Sequence, residues 1–251
     1  MNNKIKCILT KSFLLVAASQ IVGCSSQPES TDASAPPPLR KYIPKKTDVI
    51  TLDVDDSMEG FNRGVYKFNY RFDKYVFLPA VNGYRYVMPD YAEDRVSDFM
   101  DNVSEFGHFY NNLLQGKWKA TGTTLGRFCI NTTVGIAGLW DPATKHGIKE
   151  KPEDFGQTLG HWGVGNGSYL MLPIAGPSNV RDGVGYAVDV AVHPVNWLDD
   201  SNSGLFWSYS LLNPIDIRKR ESFRYYSTGS PFEYELVRMF YTIKREEDIK
   251  Q

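Results

Sequence analysis

The chain has 251 residues, with 28 Lys+Arg against 29 Asp+Glu, 42% hydrophobic residues and 14% aromatics. A near-neutral balance without a dominant basic block excludes an electrostatic case for nucleic acid, and the length suits one domain with a sizeable core. Cys7, Cys24 and Cys129 give no disulfide framework.

The N-terminus reads as an export signal: Lys4, Lys6 and Lys11 without an acid, an apolar stretch over 13–18, then Ile21-Val22-Gly23-Cys24. That ending resembles a bacterial lipobox, in which the cysteine is diacylated and becomes the mature N-terminus. Ser25 stands where the inner-membrane retention signal has Asp, which favours the outer membrane. Residues 1–23 are therefore expected to be a lipoprotein signal peptide and Cys24 the lipid anchor. Over 24–50 an acylated N-terminus leads into a flexible linker, rich in Ser, Pro and Thr and without an apolar period. The domain is expected over 51–251, mostly α-helical. Beyond the signal no run approaches the roughly 18 apolar residues of a spanning helix.

Five helical patterns follow. Across 57–77, Phe61, Val65, Phe68, Phe72, Tyr75 and Val76 keep the helical period, with Tyr66, Tyr70 and Phe77 as a second apolar stripe. Arg63, Lys67, Arg71 and Lys74 run between the two stripes. This pattern suits either a core helix with solvated cations or a helix at a lipid–water boundary. A second helix starts at Asp90, with Glu93 placed for a capping box, and stops at Gly116. Its apolar face is Val96, Phe99, Met100, Val103, Phe106, Tyr110, Leu113 and Leu114. Its acids Glu93, Asp94, Asp98, Asp101 and Glu105 read as a solvated face. A third helix, 117–133, gathers Trp118, Thr121, Leu125, Phe128 and Thr132. A fourth, 178–192, is expected to bury Val180, Val184, Ala187, Val188 and Ala191. The last has Ser230 as N-cap, Pro231 and Glu233, and presents Leu236, Val237, Phe240 and Ile243. Strand evidence is confined to 168–174, limited by Pro173 and without an alternating partner.

The glycines of 155–167 lack the spacing of a dinucleotide fingerprint and the Lys-Ser/Thr of a phosphate loop, so they read as tight packing points. His108, His146, His161 and His193 form no zinc pair, and Cys129 reads as a buried, inert thiol. Ser168 and Ser178 lack the nucleophile elbow. No metal, cofactor or catalytic set is expected. The uncharged stretch 129–140 reads as a buried loop or as an apolar flap, with Gly135 and Gly138 able to form a hairpin.

These residues resemble the MlaA family, also called VacJ. Glu59-Gly60-Phe61-Asn62-Arg63 with Tyr66-Lys67-Phe68-Asn69 matches its opening signature, and Asn131-Thr132 with Gly135, Gly138 and Asp141 its central motif. The most specific block is Phe155-Gly156-Gln157-Thr158-Leu159-Gly160, then Gly163-Val164-Gly165, Tyr169 to Pro173, Gly176-Pro177-Ser178 and Arg181-Asp182. Asp56-Ser57 stands where members usually have Asp-Pro, which leaves the start of the first helix unmatched. The resemblance implies a ring-shaped helical domain with an amphipathic central channel, lying in the outer membrane and bound to a trimeric porin. It implies removal of mislocalised phospholipid from the outer leaflet and its transfer to a periplasmic carrier, MlaC, without enzymatic chemistry. On this reading Phe68 and Asn69 are membrane-level structure, Gly135, Ile136, Gly138, Leu139 and Trp140 form a gating hairpin, and Leu170, Leu172 and Pro173 line the channel. The alternatives are a lipoprotein that braces porins without handling lipid, and an envelope hydrolase.

Overall fold

The first helical pattern continues well past its expected end. In the computed structural model, which describes residues 54–197 and 203–250, α1 (Glu59–Phe72) passes through a π-helical turn (Asp73–Phe77) into α2 (Leu78–Val87). The wide turn falls just before Pro79, which has no N–H for a regular ladder and would crowd the preceding carbonyls. The expectations for 1–53, Cys24 included, lie outside the described residues.

α3 (Asp90–Leu114) begins where expected, but Pro89 is its cap and no side chain bonds there. The capping box at Asp90 and Glu93 therefore does not form. Glu93 is instead buried with Lys219 3.3 Å away. Gly116, at φ +71, turns the chain into α4 (Trp118–Thr133), which packs along α3. Then come α5 (Pro142–Lys145), α6 (Phe155–His161), the strands β1 (Tyr169–Leu172) and β2 (Gly176–Asn179), and α7 (Val180–Val192). A 3-10 turn (Pro194–Trp197), α8 (Ser203–Arg220) and α9 (Glu233–Lys250) complete the mostly helical fold.

The hairpin corrects the expectation that 168–174 has no partner. β1 pairs antiparallel with β2, Tyr169 opposite Asn179 and Leu172 opposite Gly176. Its free edge is closed by two amide side chains on α1. Asn62 donates to the Tyr169 carbonyl at 3.0 Å and accepts from the Met171 N–H at 2.8 Å. One face further along, Asn69 donates to the Leu172 carbonyl at 3.0 Å and accepts from the Ile174 N–H at 2.7 Å. Each asparagine thus supplies the donor and acceptor that a third strand would have offered.

Asp154 caps α6 in a full capping box with Gln157, and Asn179 caps α7. The two helices touch through glycine: a Cβ on Gly185 would lie 2.3 Å from the Gly156 nitrogen. This is the tight-packing role read from 155–167. α9 begins at Glu233, two residues past the expected start. Ser230 Oγ accepts from the Phe232 N–H at 3.1 Å, while Glu233 points inward.

Candidate lipid-contacting surface and interior cavities

The helices bury their polar sides. On α4 the buried residues are Thr121, Thr124, Arg127 and Asn131, while Trp118 is 73% exposed and Leu125 and Phe128 lie open beside it. On α7 the buried set is Arg181, Asp182, Gly185 and Val190, and Val180 and Val184 face outward. On α1 Asn62, Val65, Tyr66 and Asn69 are buried, with Phe61 and Phe68 exposed, as are Tyr75 and Val76 of the π-helical turn that follows. Phe106, Leu113 and Leu114 of α3 and Phe240 of α9 are exposed as well. The apolar face expected to be buried on α7 is therefore largely exposed, and of the residues gathered on α4 Thr121 is buried while Trp118, Leu125 and Phe128 are exposed. Conversely, Glu105 of the acidic face expected to be solvated is 1% exposed. Apolar clusters do exist, around Tyr66, Tyr169 and Tyr234 and around Met100, Phe206 and Tyr209, but they are small.

Charge that enters such an interior must be paired, because an isolated buried ion is far costlier than a bonded one. Arg127 is saturated. Its Nε bonds Glu105, Nη1 reaches Thr144 Oγ1 at 2.9 Å and the Ile148 carbonyl, and Nη2 reaches Asp141 at 3.0 Å and Glu150 at 3.2 Å. Burial pushes the Glu105 carboxyl up and Arg127 opposes it. Asp141 is pulled up by burial too, yet hydrogen bonds from Thr144 and Arg127 hold it below the usual carboxylate range. Arg218 grips Asp73 through two bonds of 2.6 and 3.0 Å, joining α8 to the π-helical turn. Arg245 on α9 ties Asp154 at 2.7 Å to Asp182 at 2.9 Å, locking the starts of α6 and α7.

Beside these pairs lie half-open cavities that share wall residues. One of about 390 Å³ is lined by Met100, Ser104, Tyr186, Asp189, His193 and Tyr209 among others. Tyr186 and Asp189 also wall a second, of about 290 Å³, with Leu172, Pro177 and Arg245. Arg245, Lys244, Asp154 and Asp248 then border a third, of about 870 Å³, reaching Lys117, Lys119 and Trp118. An apolar slot of about 240 Å³ between Phe99, Val103, Phe106, Phe128 and Val195 shares Tyr209 with the first. Polar and apolar walls thus alternate through the domain. His193 sits there with its Nε2 3.1 Å from the Tyr209 hydroxyl, and burial pushes it down to about 4.

Of the residues singled out from sequence, Phe68 is exposed and stacks on Phe72 with ring centroids 5.8 Å apart. Asn69 is 3% exposed and pins the hairpin. Leu172 lines the second cavity, Leu170 is half-buried and faces Gly183, and Pro173 is exposed. Asn69 therefore brings Leu172 and Pro173 to α1, whereas 134–140 packs against α3 and the start of α5. That stretch is a helical exit turn rather than a β-hairpin. Ile136 and Ala137 have φ of 50 and 57°, with bonds from Ala137 N to Thr132 O at 2.8 Å and from Trp140 N to Gly135 O at 3.0 Å. A Cβ on Gly135 would fall 2.2 Å from the Trp140 carbonyl, and one on Gly138 2.5 Å from the Asn102 amide. The turn presents Val134, Ile136 and Leu139 outward, and Trp140 lies 5.6 Å from the Arg95 guanidinium. Cys129, expected to be buried, is exposed. Ser168 bonds Ser57, and Ser178 bonds the Asn179 carbonyl. Among the described residues no group of His, Cys, Asp and Glu is placed to hold a metal ion, and no helix is long and apolar enough to cross a membrane.

Exposed apolar side chains around paired buried charges and cavities of mixed lining define a class: a mostly helical domain with a polar, ion-paired interior. Residues 54–248 match the MlaA lipoprotein model, and the chain belongs to that family. It is 32% identical to the intermembrane phospholipid transport system lipoprotein MlaA of Haemophilus influenzae, over 75% of this chain and 68% of that protein. The Escherichia coli protein of the same name is 36% identical over 57% of this chain and 59% of its own. An uncharacterised protein of Rickettsia prowazekii is 44% identical over 52% of each, so the chain spans about half the length of such relatives. A solved chain from work on the structural basis for maintenance of bacterial outer membrane lipid asymmetry superposes with a TM-score of 0.63 at 30% identity. That match covers 78% of this chain and 99% of the solved one.

Proposed function

We propose that this protein removes mislocalised phospholipid from the outer leaflet of the outer membrane and passes it to a soluble periplasmic carrier, MlaC. The observation that carries the reading is the inverted partition: apolar side chains outward, paired charge and alternating cavities within. In water this surface would be an aggregation liability, whereas against acyl chains it is the favourable arrangement. On this reading the lipid path is an amphipathic channel through a ring-shaped domain to which these cavities contribute, a headgroup meeting Asp189, Tyr186 and Arg245 and acyl chains the apolar slot. Residues 1–23 direct export, Cys24 anchors the mature chain, 24–50 serve as tether, and a trimeric porin steadies the domain. Phe68 and Asn69 hold the membrane-level helix, and the turn from Gly135 to Trp140 gates the channel, with Leu170, Leu172 and Pro173 in or near its wall. The relatives named for intermembrane phospholipid transport support this reading.

The test is deletion of the gene followed by labelling of phospholipid exposed at the cell surface. Phospholipid should accumulate in the outer leaflet, be cleared by the wild-type gene, and stay high with Cys24→Ala. Unchanged surface phospholipid in the deletion strain would leave only the bracing role.

A further inference from the structure

A separate cavity, of about 400 Å³, opens beside α1 and shares no lining residue with the four described above. Its wall includes Arg63, Tyr66, Lys67, Tyr226, Ser230 and Tyr234. Its acid, Glu233, is turned inward, where it accepts from Tyr66 OH at 2.6 Å, from the Thr228 N–H at 3.1 Å and hydroxyl at 2.6 Å, and from the Tyr226 N–H. Arg63 is shared between Glu59 and Glu235. Lys67 has neither a carboxylate nor any other hydrogen-bond partner among the described residues, and it is exposed at the cavity wall. Arg71 and Lys74 extend the line at helical spacing. Lys74 touches only the Tyr70 hydroxyl and the rings of Tyr70 and Tyr75, and neither cation is paired with a carboxylate among the described residues. Phe61 and Phe68 of α1 and Tyr75 of the π-helical turn stand exposed on the adjoining strip.

A line of unpaired cations next to exposed rings matches the level at which phosphate meets acyl chain. We infer that this cavity is a headgroup site on the outside of the domain and that it selects anionic glycerophospholipid, with Lys67 meeting the phosphate and Arg71 and Lys74 adding field. The inference rests on the lipid-facing reading above, but it concerns binding outside the channel. Zwitterionic lipid is disfavoured because its ammonium offsets the phosphate before the cations.

The mature lipidated chain in neutral detergent is titrated by calorimetry with short-chain phosphatidylglycerol and, separately, with short-chain phosphatidylethanolamine. Phosphatidylglycerol should bind at least about fivefold more tightly. Lys67→Gln should reduce that preference roughly fivefold, and Lys67→Gln/Arg71→Gln further, since a cation near an anionic surface is worth about a fivefold factor. The preference should fall with added salt. Lys67→Arg and the distant Lys145→Gln should retain it. Equal affinity for the two lipids, or undiminished preference in Lys67→Gln with an unchanged melting profile, would overturn the site. Because the readout is binding by purified protein, that result leaves clearance of outer-leaflet lipid in cells as a separate question.

Discussion

Arg127 shows what one buried cation demands of its surroundings. Five partners from α3, α5 and its cap Asp141, and the 148–150 segment converge on it, so its removal strands Glu105 rather than merely deleting a bond. Arg127→Met should cost about 3–5 kcal/mol in unfolding of the detergent-solubilised protein, the usual penalty for breaking a buried pair. Adding Glu105→Leu should recover much of that loss, because a well-packed apolar pair no longer carries an uncompensated charge. A double variant no more stable than Arg127→Met would mean that the remaining partners, Asp141 and Thr144, dominate. His193 makes the matching prediction for pH. Burial holds it near 4, against an ordinary 6.5. The unfolded chain therefore binds the extra proton between those values, and stability is lost as pH falls through that window, with no contribution above it. The unfolding midpoints of wild type and His193→Gln should keep a constant offset above about pH 6.5. They should converge or cross below it, with the wild type losing more. Asp141 and Asp182, both held low by their partners against burial, lose stability in acid equally in the two proteins and cancel.

Among elements, the α6–α7 contact gives a paired test. Gly185→Ala drives a methyl into the Gly156 backbone and should cost about 1–3 kcal/mol, since helices cannot yield as a flexible side chain does. Gly183→Ala, two residues away on the same helix, meets only Leu170 at 3.7 Å and Ser178 at 3.8 Å. It should stabilise by about 0.4–1 kcal/mol through helix propensity, and thermal melts of the two variants should move in opposite directions. The exit turn after α4 supports a second test. A cysteine pair pinning 134–140 to α3, in a Cys129→Ser background, should impair clearance when oxidised and not when reduced, and equal activity in both states would remove the gate. The helical period was legible for α1, α3, α4, α7 and α9 because a helix repeats whichever side is buried. Which side is buried was not legible on α7: its apolar stripe reads as core, yet Val180 and Val184 stand exposed while Arg181 and Asp182 are buried. On α4 the polar line of Thr124, Arg127 and Asn131 was the available sign. α8 was hidden because Pro214 lies inside it and its buried side mixes Phe206 and Tyr209 with Ser210, Asp216 and Arg218. The pair of Asp73 and Arg218 was beyond sequence, since 145 positions separate the two and only the folded chain joins them.

At the scale of the whole molecule the question is whether the folded domain lies in the bilayer or hangs from it. The tryptophans give a way to test it. Trp118 is 73% exposed and Trp197 67%, with Trp162 and Trp207 about half exposed, whereas Trp140 is turned towards Arg95. A soluble domain on a tether would keep all of them in water, where so much indole surface is unfavourable. A domain set among acyl chains places the exposed rings on α4 and α8 against lipid. Single-tryptophan variants of the mature protein, reconstituted into vesicles of brominated phospholipid, should show strong fluorescence quenching for Trp118 and Trp207 and weak quenching for Trp140. Uniformly weak quenching would put the domain outside the bilayer and leave any anchoring to the N-terminus. Strong quenching at α4 would make its exposed Trp118 and Leu125 a lipid contact. A charge introduced there, such as Leu125→Asp, should then release the domain from the acyl region while sparing the buried Arg127 pairs on the opposite side of the same helix.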